Sequence, residues 1–280
     1  MDIFRHMVKR YIANDTLSVR LHSGLLISMI NLSIILSILL SSFLFTGCAG
    51  TTKANKGMAV KMEDMGRSLV FQGKSREGLS YLIKAEKLDP NNPDIEHEMA
   101  LVYENIGEYD LALQHFKRAI GLKPNFSEAV NNMGALYSRM KEWDKALECF
   151  QQAISNVLYK TPHFAYHNIG LVYFYQGDYP KAIENYQKAL RLAPSYVNVY
   201  YDLASAYIAL NRFEDAVEIY KKAVALSPQS MQADLSLARL YIKMNKKQEA
   251  IDELKDIIES DPRSQAAKEA NQLLQDMIKK

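Results

Sequence analysis

The sequence predicts an all-α solenoid, in which one helix-turn-helix unit is repeated six times and a capping helix closes the C-terminal end. Two observations predict it: a period of about 34 residues from Ala59 to Arg263, and amphipathic helical spacing inside each unit. Four landmarks recur, namely a small residue, an aromatic or apolar residue, a second small residue and a closing proline. In the fourth unit they are Gly170, Tyr173, Ala182 and Pro194. Self-similarity at one period outweighs local propensity as evidence for a fold.

The fourth unit shows how each repeat is built. Tyr166, Ile169 and Gly170 lie on one face of a first helix because they are three and four residues apart. Gly177 ends this helix, since glycine readily adopts the left-handed conformation found after a helix C-terminus. Ala182 belongs to the apolar stripe of the second helix, and the small residues allow the two helices to approach closely. A single unit cannot bury both stripes, so neighbouring units are expected to stack.

This order of small, aromatic and proline residues resembles the tetratricopeptide repeat family over residues 59–264. The resemblance implies a right-handed superhelical solenoid whose first helices line an inner groove. The predicted repeats are 59–92, 93–126, 127–162, 163–196, 197–230 and 231–264. The polar-backed segment 265–280 is expected to form the capping helix.

A strongly apolar leader precedes the repeats. No residue from Ser23 to Thr52 is charged and basic residues stand before this run, which indicates a secretory signal or a membrane span. The run ends in the letters LFTGC at Cys48, which resembles a bacterial lipoprotein processing box. The resemblance implies that 1–47 is a signal peptide, that Cys48 carries lipid, and that 48–58 is a flexible tether.

Two residues beside the cysteine bear on where the chain is anchored. Phe45 stands three places before the cysteine, where such proteins prefer leucine, so an uncleaved single-pass anchor in the inner membrane remains the alternative. Ala49 follows the cysteine in place of aspartate. By analogy with enterobacterial sorting, this favours the outer membrane, with the repeats facing the periplasm.

The charge distribution argues against a nucleic-acid partner. The formal net charge is +2, and residues 1–47 hold four basic and two acidic side chains. The 30 basic and 30 acidic residues of the remainder therefore cancel, so the basic character belongs to the leader alone.

The chain offers little that could perform catalysis. His163 and His167 have the spacing of two metal ligands on one helix face, but Phe164 stands where a zinc hydrolase has glutamate, and no third ligand is evident. Cys149 lies beside Phe150 in the second helix of repeat three and is interpreted as a packing residue. The sequence therefore predicts no enzyme activity, no cofactor, no metal site and no small-molecule substrate.

The period breaks once, between the third and fourth repeats. Two residues are added there, the closing proline is missing, and Asn156 to Pro162 reads NVLYKTP. A tolerated loop insertion is one explanation. The segment also resembles the type IV pilus biogenesis/stability lipoproteins, the pilotins that accompany an outer-membrane secretin, although Val157 stands where those proteins often have proline. That resemblance implies a lipid-anchored scaffold that assists secretin localisation or multimerisation.

The register of the repeat family also implies which side chains face a partner in the groove. The expected groove residues are Glu128, Asn131, Asn132 and Ser138 of repeat three, Phe164, His167, Asn168, Leu171 and Phe174 of repeat four, and Asn198, Tyr201 and Asp202 of repeat five. These positions hold amides and aromatics and no lysine or arginine cluster, which suits an internal or apolar peptide segment of a secretin or another pilus protein.

Two alternatives remain at this point. The groove residues could be ordinary solvated side chains. The chain could also be a general envelope scaffold that docks peptidoglycan enzymes or other periplasmic enzymes.

Overall fold

The computed structural model describes residues 53–279, which form thirteen α-helices and no strand. The first helix, α1, spans 53–71 within this part of the chain. The others are α2 (Ser75–Leu88), α3 (Pro93–Asn105), α4 (Tyr109–Leu122), α5 (Ser127–Arg139), α6 (Trp143–Ser155), α7 (Pro162–Tyr175), α8 (Tyr179–Leu192), α9 (Val197–Ala209), α10 (Phe213–Leu226), α11 (Met231–Lys243), α12 (Lys247–Ser260) and α13 (Gln265–Ile278). The predicted signal peptide and Cys48 lie outside the described residues. Between 53 and 279, no helix combines the length and the apolar character that crossing a bilayer requires.

Consecutive helices pack against each other along the chain, and α13 packs on both α11 and α12. The first helices of neighbouring repeats also touch, α3 with α5, α5 with α7, and α7 with α9. The first helices therefore form the inner surface of the solenoid, which is the surface that carries the groove.

Gly170 marks a close approach of the two helices of repeat four. A Cβ atom at Gly170 would lie 2.5 Å from two ring carbons of Tyr186, whose side chain is fully buried. In repeat three, a Cβ at Gly134 would lie 2.7 Å from the ring of Phe150. In these two repeats the small landmark residue of the first helix thus makes room for a large ring from the second.

Each first helix ends in a left-handed residue at one fixed place in the repeat. In order along the chain these residues are Gly73, Gly107, Lys141, Gly177, Asn211 and Asn245, with φ between 57° and 87°. The next N–H then bonds back to a carbonyl inside the helix, as Asp178 N does to Tyr173 O at 2.9 Å. Glycine and asparagine tolerate this conformation, whereas the lysine at position 141 is an exception.

The N-terminal boundary differs from the sequence-based expectation. Residues 53–58 belong to α1 in the structure, although the sequence pattern assigned them to the flexible tether. Lysine, alanine and methionine are good helix formers, and the one glycine in this stretch, Gly57, costs about 1 kcal/mol. Ala59 is fully buried against the core that α2 and α3 complete, so packing stabilises the helix that leads into it.

The two-residue insertion forms an ordered loop between α6 and α7. The Asn156 side chain donates to Ser127 Oγ at 2.8 Å and accepts from Leu158 N at 3.0 Å, which fixes the loop to the start of α5. Tyr159 is buried, whereas Val157 and Leu158 are 94% and 78% exposed.

Candidate functional site

The expected groove residues all lie on α5, α7 and α9, but they differ in exposure. Glu128, Phe164 and Asn198 are exposed; Asn132, Ser138, Asn168, Leu171, Phe174, Tyr201 and Asp202 are half-buried; Asn131 and His167 are buried. The surface that a partner could contact therefore consists mainly of the first two groups.

A chain of hydrogen bonds runs across three first helices along the inner surface. Asn168 of α7 donates to Asn131 of α5 at 3.3 Å, and Asn131 donates to Asn132 at 3.3 Å. The Asn132 amide then donates to Nε2 of His97 on α3 at 2.9 Å. These carboxamides use part of their capacity within the protein, and the half-buried Asn132 and Asn168 keep further donor or acceptor positions for a bound backbone.

His97 is the end of this chain and is held in its neutral form. Its Nε2 accepts from an amide N–H, a role that only the unprotonated nitrogen can fill. The ring packs beside Phe116 and Phe126, and this burial lowers the pKa of His97 to about 4. The nearby Asp94 and Glu128 carboxylates act in the opposite direction, but burial dominates.

A second polar cluster joins α7 to α9. His167 Nε2 donates to Asp202 Oδ2 at 2.7 Å, and the Tyr196 hydroxyl lies 3.2 Å from His167 Nδ1. The Tyr196 hydroxyl thus completes the hydrogen bonding of the ring at Nδ1, while Nε2 faces the carboxylate. The ring is buried with both nitrogens satisfied, so the cluster orients Asp202 and Tyr196 and links two repeats.

Aromatic rings surround this cluster. Phe164 is 40% exposed and meets the Tyr196 ring edge-on, with centroids 5.4 Å apart. His163 contacts both rings, with its centroid 4.3 Å from that of Phe164 and 5.8 Å from that of Tyr196. The result is an apolar surface beside a polar one, which matches an extended peptide that carries both backbone amides and apolar side chains.

At the C-terminal ends of α5 and α7 the inner surface opens into a cleft of about 620 Å³. It is lined by Ala135, Ser138, Arg139, Lys141, Trp143, Asn168, Leu171, Val172 and Tyr175. The Trp143 and Tyr175 rings are nearly parallel, with centroids 6.2 Å apart, and Tyr175 is 69% exposed. The hydroxyl of Ser138 is buried and has no hydrogen-bond partner in the described part of the protein.

Sequence reasoning named Ser138, Asn168 and Leu171 of this cleft and missed the others. It considered only the first helix of each repeat, whereas Lys141 lies in the turn and Trp143 begins the second helix of repeat three. Two signals were available in the sequence: Trp143 is the only tryptophan, and Lys141 occupies a position that is glycine or asparagine in every other repeat. The structure therefore adds two cations to the end of a groove that was expected to have no basic cluster.

The described residues offer no obvious place for a metal ion. Between 53 and 279, no three His, Cys, Asp or Glu side chains lie close enough together to share one. His167 is engaged with Asp202 and Tyr196, and His163 packs on aromatic rings. Cys149 is buried, and burial raises the pKa of its thiol to about 11, so the thiolate that could act as a nucleophile is disfavoured.

Several solved structures share this architecture. PilF of Pseudomonas aeruginosa matches with a TM-score of 0.64 and 20% identity over 77% of this chain and 97% of PilF. PilW, described as a widely conserved type IV pilus biogenesis factor, matches with a TM-score of 0.66 and 21% identity, over 75% and 96% of the two chains. MamA of Desulfovibrio magneticus RS-1 matches with a TM-score of 0.53 and 24% identity, over 62% and 97%. These identities support a shared fold. No curated protein sequence matches the chain significantly.

Models of one repeat family cover nearly all of the described helices. Tetratricopeptide repeat models match residues 63–125, 126–195, 163–229 and 212–275. The all-α solenoid predicted from the 34-residue period is confirmed by these matches and by the thirteen helices of the described part. The chain belongs to the tetratricopeptide repeat family.

Proposed function

We propose that this protein is a non-enzymatic, protein-binding scaffold of a type IV pilus machine, which holds an extended segment of a partner in its inner groove. The observation that carries the proposal is the groove itself. Amides that retain hydrogen-bonding capacity lie beside the exposed ring of Phe164; a bond between repeats orients the amides, and packing against Tyr196 orients the ring. Likeness to PilF and PilW over almost their whole length supports the pilus context.

The finer part of the proposal concerns the partner and the membrane. The partner is a segment of the outer-membrane secretin, and the chain assists its localisation or multimerisation. Lipid on Cys48, which lies outside the described residues, anchors the scaffold to the outer membrane on its periplasmic side. Anchoring raises the local concentration of partner subunits, so that modest groove affinity suffices.

The first experiment deletes the gene and measures surface pili and heat-resistant secretin multimers. Loss of both is expected. Unchanged multimers in the outer membrane would refute the secretin role, and unchanged pili would refute the pilus role as a whole.

Complementation of the deletion strain then tests the groove. Phe164→Asp should fail to restore multimers, because it places a charge in the apolar part of the groove. Phe71→Asp is the matched control, since Phe71 is 94% exposed at the end of α1, far along the solenoid from the groove residues. Equal rescue by both variants, with equal cellular amounts and helical content, would contradict a groove-based mechanism.

A separate experiment tests the anchor. Cys48→Ala should abolish incorporation of labelled fatty acid and release the chain from outer-membrane fractions. Normal labelling of the variant would show that the lipid is elsewhere or absent, and would favour the single-pass anchor.

A general envelope scaffold is the second candidate. The observation in its favour is that MamA shares the same fold at a comparable sequence identity, although with a lower TM-score, so the architecture alone does not select a pilus partner. Co-purification from membranes that recovers peptidoglycan hydrolases and no pilus protein would support it over the first proposal.

A further inference from the structure

The cleft between α5 and α7 has the features of an anchoring pocket. Its apolar wall is formed by Trp143, Leu171, Val172 and Tyr175, and the Tyr175 ring is largely exposed. Exposed aromatic rings that flank a concave surface provide a large, rigid contact area for another ring. An aromatic side chain is therefore the occupant that this wall favours.

Lys141 adds a charge to the same cleft at a cost to the backbone. It has φ of 61°, whereas the equivalent positions of the other repeats hold glycine or asparagine, which accept a positive φ with less strain. A strained residue that lines a cleft indicates a role that the fold itself does not require.

The charge of Lys141 is also unneutralised within the described part of the chain. No carboxylate of residues 53–279 lies within 4.0 Å of its ammonium group, whereas Arg139, the other cation of the cleft, lies 3.4 Å from Glu104. An acidic group on the occupant would supply the missing partner for Lys141.

The third polar group of the cleft is the hydroxyl of Ser138. The Ser138 hydroxyl is buried and makes no hydrogen bond within the described residues. A backbone group of a bound segment would supply the partner that such a buried hydroxyl normally has.

We propose that this cleft binds a protein segment in which an aromatic side chain is followed directly by aspartate or glutamate. The ring packs against Trp143 and Tyr175, and the carboxylate pairs with Lys141. The inference rests on the proposed protein-binding function, and it is independent of whether the partner belongs to a pilus.

The sole tryptophan of the chain lies in this cleft, so intrinsic fluorescence reports on it directly. The full-length chain, kept soluble with amphipol, is titrated at low salt with a hexapeptide that contains Phe-Asp between glycine pairs and has blocked ends. A saturable change in tryptophan emission is expected. Replacing Phe by Ala in the peptide should weaken binding at least tenfold, and replacing Asp by Asn about threefold to fivefold.

Lys141→Gly is the decisive variant because glycine suits the turn. The variant should have a higher melting temperature and a threefold to fivefold lower affinity for the Phe-Asp peptide. Its affinity for the Phe-Asn peptide should be unchanged. Asn245→Gly changes the equivalent turn of repeat six and should alter neither affinity. Lys87→Gln, an exposed change on α2, controls for net charge.

Three results would overturn the inference: no saturable change in emission, equal affinity for the Phe-Asp and Phe-Asn peptides, or unchanged affinity in Lys141→Gly. None of them bears on pili. A deletion strain with normal pili would refute the pilus role and leave this titration intact, so the two failures are distinguishable.

Discussion

Replacing Gly170 by alanine tests the close packing of the two helices of repeat four. The new Cβ would lie 2.5 Å from Cδ1 and Cε1 of Tyr186, about 1 Å closer than favourable carbon–carbon contact. Tyr186 is fully buried, so its ring cannot turn out into solvent. Overpacking of this kind costs about 1–3 kcal/mol, and removing a helical glycine returns about 0.5–1 kcal/mol. The expected net loss in the free energy of unfolding is about 1–2 kcal/mol.

Gly121→Ala is the matched control for this prediction. It lies near the end of α4, where a Cβ would meet nothing within 4 Å, so only the gain from removing a glycine remains. The control should be more stable than the parent chain by about 0.5 kcal/mol. Urea unfolding followed by circular dichroism measures both variants.

A double variant separates the clash from other effects. Tyr186→Leu removes the ring, so Gly170→Ala should cost much less in that background than in the parent chain. An equal cost in both backgrounds, or a Gly170→Ala variant as stable as Gly121→Ala, would refute the packing argument.

Three further predictions concern other parts of the solenoid. Burial holds the pKa of His97 near 4, whereas histidine in the unfolded chain has a pKa of about 6.5, so the unfolded chain binds the proton more readily. The free energy of unfolding is therefore expected to fall by about 3 kcal/mol in total as the pH drops from about 6.5 to 4, measured by urea titration. Asn156→Ala removes the bonds to Ser127 and to the loop backbone, and should lower the free energy of unfolding by about 1–2 kcal/mol and speed hydrogen exchange at Leu158. Cys149, with its raised pKa, should resist thiol reagents at pH 8 in the folded chain and react fully in urea.

Each of these has its own control. His97→Gln removes the titrating group, so its stability should lose most of the dependence between pH 6.5 and 4; an unchanged slope would assign the effect to carboxylates. Asn125→Ala changes an exposed side chain in the turn between α4 and α5, whose backbone carbonyl accepts from Asn156, and should cost little; an equal cost would mean that the Asn156 bonds are unimportant. Thiol labelling is measured in a Cys48→Ala chain, where rapid reaction in the absence of urea would contradict the burial of Cys149.

The fold could be predicted well from the sequence because the same spacing of small and apolar residues recurs in every repeat. The positions of Gly170 and Ala182 are read from spacing alone. The pattern is weak in a single repeat, but its recurrence in six repeats is strong evidence for the fold. The groove was harder to predict. Spacing indicates which helix face a residue occupies. It does not show that Asn131 and His167 are buried and hydrogen-bonded to side chains of the next repeat.

The cleft was missed for a different reason. It is formed where the turn between the two helices of repeat three, with Lys141 and Trp143, faces the C-terminal half of α7 in repeat four. Helical periodicity carries no information about such junctions. A comparison of the six turns at their left-handed position would have singled out Lys141 without a structure.

The two residues added in the insertion loop do not change the alignment of the first helices on either side of it. Hydrogen-bonded partners on neighbouring first helices are 35 residues apart in two cases, His97 with Asn132 and His167 with Asp202, and 37 apart where the bond spans the insertion, from Asn131 to Asn168. The two added residues are thus absorbed before α7 begins, and the helices stay in phase. The exposed segment 157–158 can accordingly be lengthened without disturbing the groove. An epitope or fluorophore introduced there would follow the protein in cells while its inner surface stays unaltered.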